Sequence, residues 1–290
     1  EEGKKKEAAE EDALSELVDR NMIDLLRVCT MLNKPDQSEI QRRGVNLGPQ
    51  TKSKVLVLDM DETLIHSSFH KLTGAETEIY EPGIRPAANG VLEFNILISN
   101  KPGQPASLRL NVKVRQHLEE ALSYLSTMYE IVVFTAGEQD YADTILDFID
   151  EDREIIKHRL YRHHCVRPET GVYVKDLGVI LDRNLKDIIL VDNSIISFAF
   201  NLSNGVPIKA FLGEKNDEEL LYMVTFLEEI FAEVDVRPKI DSTFKLTELS
   251  QKYATHGIKS KKEGKKLLKT AHESLMTKNA DGSLESDKKH

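Results

Sequence analysis

Three kinds of hydrophobic pattern succeed one another along the chain. Between residues 8 and 30, Leu14, Leu17, Val18, Met22, Leu25, Leu26 and Cys29 recur every three or four positions, the spacing of an amphipathic helix. Such a face either packs on the main domain or receives a partner helix. Pro35, Gly44, Gly48 and Pro49 mark the linker that follows. From Lys54, short apolar runs rich in β-branched residues (KVLVLD, YEIVVFTAG, KDIILVDNS, GVPIKAF) alternate with helical stretches (QHLEEALSYLSTM, QDYADTILDFIDED, NDEELLYMVTFLEEIF). That alternation predicts an α/β fold: a central parallel sheet flanked by crossover helices.

Two segments break the rhythm. Residues 70–112, punctuated by Gly83, Pro86, Asn89-Gly90 and Lys101-Pro102-Gly103, read as a loop-rich insertion with short strands such as VLEFNILI. Residues 159–177, RLYRHHCVRPETGVYVKDL, read as a hairpin turning at PETG. After about Ile240 the pattern gives way to polar sequence with KSKKEGKKLLK at 259–269, which predicts a mobile, lysine-rich tail. The expected organisation is a helix and linker over 1–50, one domain over 51–240, and the tail over 241–290.

Composition narrows the classes of function. With 290 residues, 40% of them hydrophobic, the chain can build one sizeable core. Its net charge of −10 argues against direct nucleic-acid binding. There is no apolar run of the roughly 18 residues a membrane span needs, and the charged start EEGKKKEAAEED has no signal-peptide character. A start at Glu1 rather than Met leaves open that the chain is cut from a longer protein that carries a membrane anchor or other module. The two cysteines, Cys29 and Cys165, are too few for a disulfide framework or a four-ligand zinc site. An intracellular setting, nuclear or cytoplasmic, is the expectation.

The chemistry lies at the ends of the predicted strands. KVLVLD runs into Asp59-Met60-Asp61, and because strand side chains alternate, the two carboxylates project to one side at the strand's carboxyl end. Two crowded carboxylates there call for a cation, a proton, or both. Mg²⁺, which takes oxygen ligands, fits that demand. The next strand ends in Thr135-Ala136-Gly137 just before a helix, an arrangement suited to a phosphate oxygen. The strand after it ends in Asp192-Asn193-Ser194, a third carboxylate at the same edge, while Lys175 offers a charge able to neutralise a phosphoryl group. Taken singly, each of these residues also serves as an ordinary cap, strand end or surface lysine.

In order, DMDETLIHSSF, FTAGEQDYAD, RLYRHHCV, YVKDL and VDNS resemble the haloacid dehalogenase superfamily, and within it the phosphatases of the RNA polymerase II C-terminal domain and their small relatives. The resemblance covers about residues 51–235. It implies a Rossmann-like fold and a Mg²⁺-dependent phosphoprotein serine/threonine phosphatase, with the polymerase C-terminal domain among its candidate substrates. It further implies that Asp59 is the nucleophile that forms an aspartyl-phosphate and Asp61 the general acid and base. Asp59, the main-chain carbonyl of Asp61, Asp192 and Asn193 would surround the metal. Thr135 and Lys175 would bind phosphoryl oxygens, and Thr63 would hold the pair in place. Arg162, Phe69 and Tyr141 would line the peptide site, with His163, His164 and Cys165 as rim and core residues. Where the family often has an Arg-Pro pair, this chain has Arg115-Gln116, and Ile195 replaces a frequent proline. Two other readings stand beside this one: a phosphoprotein-binding module like the mitochondrial translocase relative, and a small-molecule phosphatase, which would normally need a helical cap.

Overall fold

The computed structural model describes residues 20–71, 85–87, 90–98, 108–169 and 171–254. Its centre is a five-stranded parallel sheet in the order β7-β6-β1-β8-β9, formed by β1 (Val55–Leu58), β6 (Glu130–Phe134), β7 (Ile156–Leu160), β8 (Ile188–Asp192) and β9 (Gly205–Pro207). In β1, Leu56 and Leu58 enter one core layer and Val55 and Val57 the other, all of them fully buried. A strand covered on both faces needs apolar residues at consecutive positions, so β1 reads as a continuous hydrophobic run. Each such side chain contributes about 1.5–3 kcal/mol on burial.

The first layer is closed by α3 (Leu118–Met128), α4 (Gln139–Ile149) and α5 (Glu219–Phe231). Their inward residues follow helical spacing: Leu118, Ala121, Leu122 and Leu125 on α3, and Leu220, Met223, Leu227 and Ile230 on α5. The second layer contains α1 (Arg20–Met31), α2 (Gln37–Arg43) and the segment 172–180. This is the expected α/β architecture. β7 is an addition: Ile156–Leu160 pairs in parallel with β6, so residues 159 and 160 belong to the sheet. The hairpin narrows to a single antiparallel bridge between Val166 and Val174.

The insertion is more ordered than a loop-rich reading allows. β2 (Ile65–Lys71), β3 (Arg85–Pro86), β4 (Leu92–Ile98) and β5 (Leu108–Val114) form a separate antiparallel sheet in the order β2-β5-β4-β3. It rests on α4, where Phe94 stacks on Phe148 at 4.0 Å between ring centres. Residues 72–84, 88–89 and 99–107 lie outside the description.

Both ends of the chain also depart from expectation. In α1, the described part of the 8–30 helix, Leu26, Val28 and Cys29 are buried within the domain, so this stretch packs intramolecularly. Residues 8–19 lie outside the described residues. The polar tail does not begin at 241, because α6 (Val236–Phe244) and α7 (Leu246–Tyr253) continue the fold, with Leu246 and Leu249 buried in the same core as Leu26. The average polarity of the segment conceals these two apolar anchors three residues apart on one helix face. The basic run at 259–269 lies beyond the described residues. No helix among the described residues is long and apolar enough to cross a membrane.

Candidate active site

Immediately after β1, the Asp59 amide donates to Val191 O at 2.9 Å, so the first aspartate still belongs to the sheet. The chain then coils on itself: Met60 O accepts from the amides of Thr63, Leu64 and Ile65, and Glu62 takes a left-handed φ of 58°. This tight turn carries the Thr63 hydroxyl back to Asp59, where it donates to Oδ2 at 2.9 Å. Asp59 Oδ1 accepts from Lys175 Nζ, whose ammonium also donates to Asp192 Oδ2 at 2.6 Å. The remaining Asp192 oxygen accepts from the Ser194 amide at 2.7 Å. Asn193 Oδ1 lies 3.5 Å from the Thr63 hydroxyl. Burial pulls the Lys175 pKa down, but the two carboxylates override it and hold the lysine above its ordinary value. Burial and the Asp59 charge push Asp192 up against the pull of Lys175.

Asp61 has different company. Tyr141 on α4 donates to its Oδ1, and the Thr135 hydroxyl donates to its Oδ2 at 3.2 Å. The Gly137 amide in turn donates to Thr135 Oγ1 at 2.8 Å. Burial first, and then the charges of Glu62 and Asp59, push the Asp61 carboxyl up to about 7. Two carboxylates from one strand end thus meet different surroundings: Asp59 faces a cation and Asp61 faces hydroxyls.

The donor set suits a divalent ion. Asp59 and Asp192 share one ammonium, which leaves negative charge uncompensated among buried oxygens. Among the described residues no three acidic, imidazole or thiol side chains converge as a ready-made cage. Mg²⁺ does not require one, since it binds through one or two carboxylates and retains waters. Asp59, Asp192, Asn193 and the Asp61 carbonyl are the oxygens that could hold it.

A family model described as NLI interacting factor-like phosphatase matches residues 54–237. The chain belongs to the NLI interacting factor-like phosphatase family. The motif resemblance is borne out at that level. A "CTD small phosphatase-like protein 2" of Dictyostelium discoideum is 40% identical over 67% of this chain and 30% of its own length. A "CTD nuclear envelope phosphatase 1B" of Danio rerio is 34% identical over 69% of this chain and 75% of its own. This chain therefore spans under a third of the Dictyostelium relative. A solved structure of fission yeast RNA polymerase II CTD phosphatase Fcp1 aligns at 19% identity and a TM-score of 0.40, covering 82% of this chain and 58% of that one.

In this NLI interacting factor-like domain, direct contacts gather Thr63, Lys175, Asp192 and Asn193 around Asp59, and Thr135 and Tyr141 around Asp61, two positions along the chain. Phe69 stands beside them, its ring 6.1 Å from that of Tyr141. Arg162 sits on the adjoining rim. Its guanidinium donates to Ala136 O and Glu138 Oε1 and lies over the Tyr173 ring. Cys165 is fully buried, and burial pushes its thiol up to about 12, which makes it a core residue rather than a nucleophile. His164 accepts from the Tyr161 amide and is lowered by burial to about 4.

Three contributors escape motif reading. Ser67 on β2 lies 2.6 Å from the Tyr141 hydroxyl. Arg115, at the end of β5, donates to Thr63 O and to both oxygens of Asp217. Its place in the Arg-Pro position of the family was the available signal. Asp217 had none, because nothing in NDEELL separates a buried counter-ion from a helix cap.

Proposed function

We propose that this chain is a divalent-cation-dependent phosphatase of phosphoserine or phosphothreonine in proteins, acting through an aspartyl-phosphate. The observation that carries the reading is the unequal environment of Asp59 and Asp61 at one strand end. Asp59, oriented by Thr63 and Lys175, attacks phosphorus: a bond forms from its oxygen to phosphorus and the bond to the seryl or threonyl oxygen breaks. Asp61, protonated at its raised pKa, gives the leaving oxygen its proton. It then takes a proton from the water that attacks phosphorus and restores Asp59. Lys175 and Thr135 donate to phosphoryl oxygens as charge shifts onto them. When bound, Mg²⁺ supplies positive charge that offsets the phosphoryl and Asp59 charges. Phe69 beside Tyr141 and Arg162 beside Tyr173 would supply an apolar wall and a cation for an extended peptide, which favours a peptide over a small metabolite. The polymerase C-terminal domain is a substrate of this class.

The test is turnover of a phosphoserine peptide with and without Mg²⁺, alongside the Asp59→Asn variant. Turnover that requires the cation and is lost in Asp59→Asn is the expected result, together with an acid-stable, hydroxylamine-sensitive phosphoenzyme in the wild type. Near-normal turnover by Asp59→Asn would remove the nucleophile from this reading.

A further inference from the structure

Tyr141 donates its hydroxyl hydrogen to Asp61 Oδ1. A phenol has only one hydrogen, so the 2.6 Å bond between Ser67 Oγ and the Tyr141 oxygen must be donated by the serine. The chain from Ser67 through Tyr141 to Asp61 therefore runs in one direction. It links three elements: β2 of the antiparallel sheet, α4, and the turn after β1. The other oxygen of Asp61 faces the Thr135 hydroxyl at 3.2 Å, on the side that receives the phosphoryl group in the reading above.

We propose that Tyr141 and Ser67 are positioning residues that hold the Asp61 carboxyl in the orientation from which it serves the leaving group. Oδ1 is thereby kept against Tyr141 and Oδ2 against Thr135, on the phosphoryl side. Ser67 fixes the tyrosine by holding its lone pair, so that the phenolic hydrogen points at Asp61. This gives Tyr141 two separable jobs: its ring forms part of the wall with Phe69, and its hydroxyl orients the acid. The inference rests on the acid role proposed for Asp61.

Leaving-group dependence tests it, because an acid matters most for a poor leaving group. kcat/KM is measured for p-nitrophenyl phosphate, phenyl phosphate and a phosphoserine peptide with wild type, Tyr141→Phe and Ser67→Ala. The expected loss in Tyr141→Phe grows along that series, reaching about tenfold to a hundredfold on phenyl phosphate, and it appears in kcat more than in KM. Ser67→Ala, which keeps the tyrosine, shows the same trend with smaller losses and serves as the readout if Tyr141→Phe folds poorly. An equal loss on every substrate, indicating general disruption, overturns the proposal. So does a loss confined to the peptide, which would leave Tyr141 as a wall of the substrate pocket only. If the wild type hydrolyses none of the three, the phosphatase reading itself fails and this inference falls with it.

Discussion

Only Met60 separates Asp61 from Asp59, yet the surroundings of Asp61 raise its carboxyl above the ordinary aspartate range. Its carboxyl is held at about 7 against the usual 3.8, by burial first and then by Glu62 and Asp59. Two pH effects follow. An acid is available only below its pKa, so kcat/KM on a phosphopeptide should fall as pH rises through about 7. A profile that stays flat to pH 9 would take the acid role away from Asp61. The second effect concerns stability. Between about 4 and about 7 the folded protein binds a proton that the unfolded chain has released, so this group's contribution declines as pH rises across that window. Denaturant unfolding of the metal-free protein at pH 5 and pH 8 should show a larger drop in wild type than in Asp61→Asn, where the titrating group is gone. Both aspartates were legible from DMDET, because a strand's alternation forces them together. The neighbours that make their surroundings unequal were not, since Tyr141 and Thr135 approach from 80 and 74 positions away.

At the scale of elements, the turn that carries Thr63 is strapped from outside. Arg115 donates from its amide to Leu64 O at 3.0 Å and from its guanidinium to Thr63 O at 2.9 Å. The same guanidinium reaches Lys209 O and both Asp217 oxygens, while the Phe211 amide donates to Glu62 O. Gln116, standing where a proline is frequent, accepts from the Asp217 amide at 2.6 Å. A buried ion pair need not add net stability, but removing one partner strands the other charge. Arg115→Ala should therefore cost about 3–5 kcal/mol in denaturant unfolding. Arg115→Ala combined with Asp217→Ala should cost clearly less than the sum of the two single changes. Strict additivity would mean that the two residues act apart. The ion pair spans 102 positions, so no local pattern could announce it. The sheet around it did leave a trace: Leu108, Leu110, Val112 and Val114 alternate with Arg109, Asn111 and Lys113. The surrounding glycines and prolines weigh toward loop and hide that period.

For the molecule as a whole, the catalytic sheet is closed at its second face by segments that are distant in sequence. α1 and α7 meet there, and Leu26, Leu246 and Leu249 share one core. A chain ended after Ala254 should unfold at the same denaturant midpoint as the full chain. One ended after Ile240 should lose about 4 kcal/mol or more, because two buried leucines go and the cover over α1 goes with them. Equal midpoints for both truncations would return α7 to the tail. The central architecture was readable because each parallel strand is apolar along its whole length; α7 was not, because a short helix with two anchors looks polar on average. The same closed frame gives Asp59 an unusual stillness. Catalytic loops commonly open at little cost, but the Asp59 amide is a rung of the ladder between β1 and β8. Its hydrogen should therefore exchange with solvent deuterium as slowly as those of Leu56 and Leu58, only when the whole domain opens.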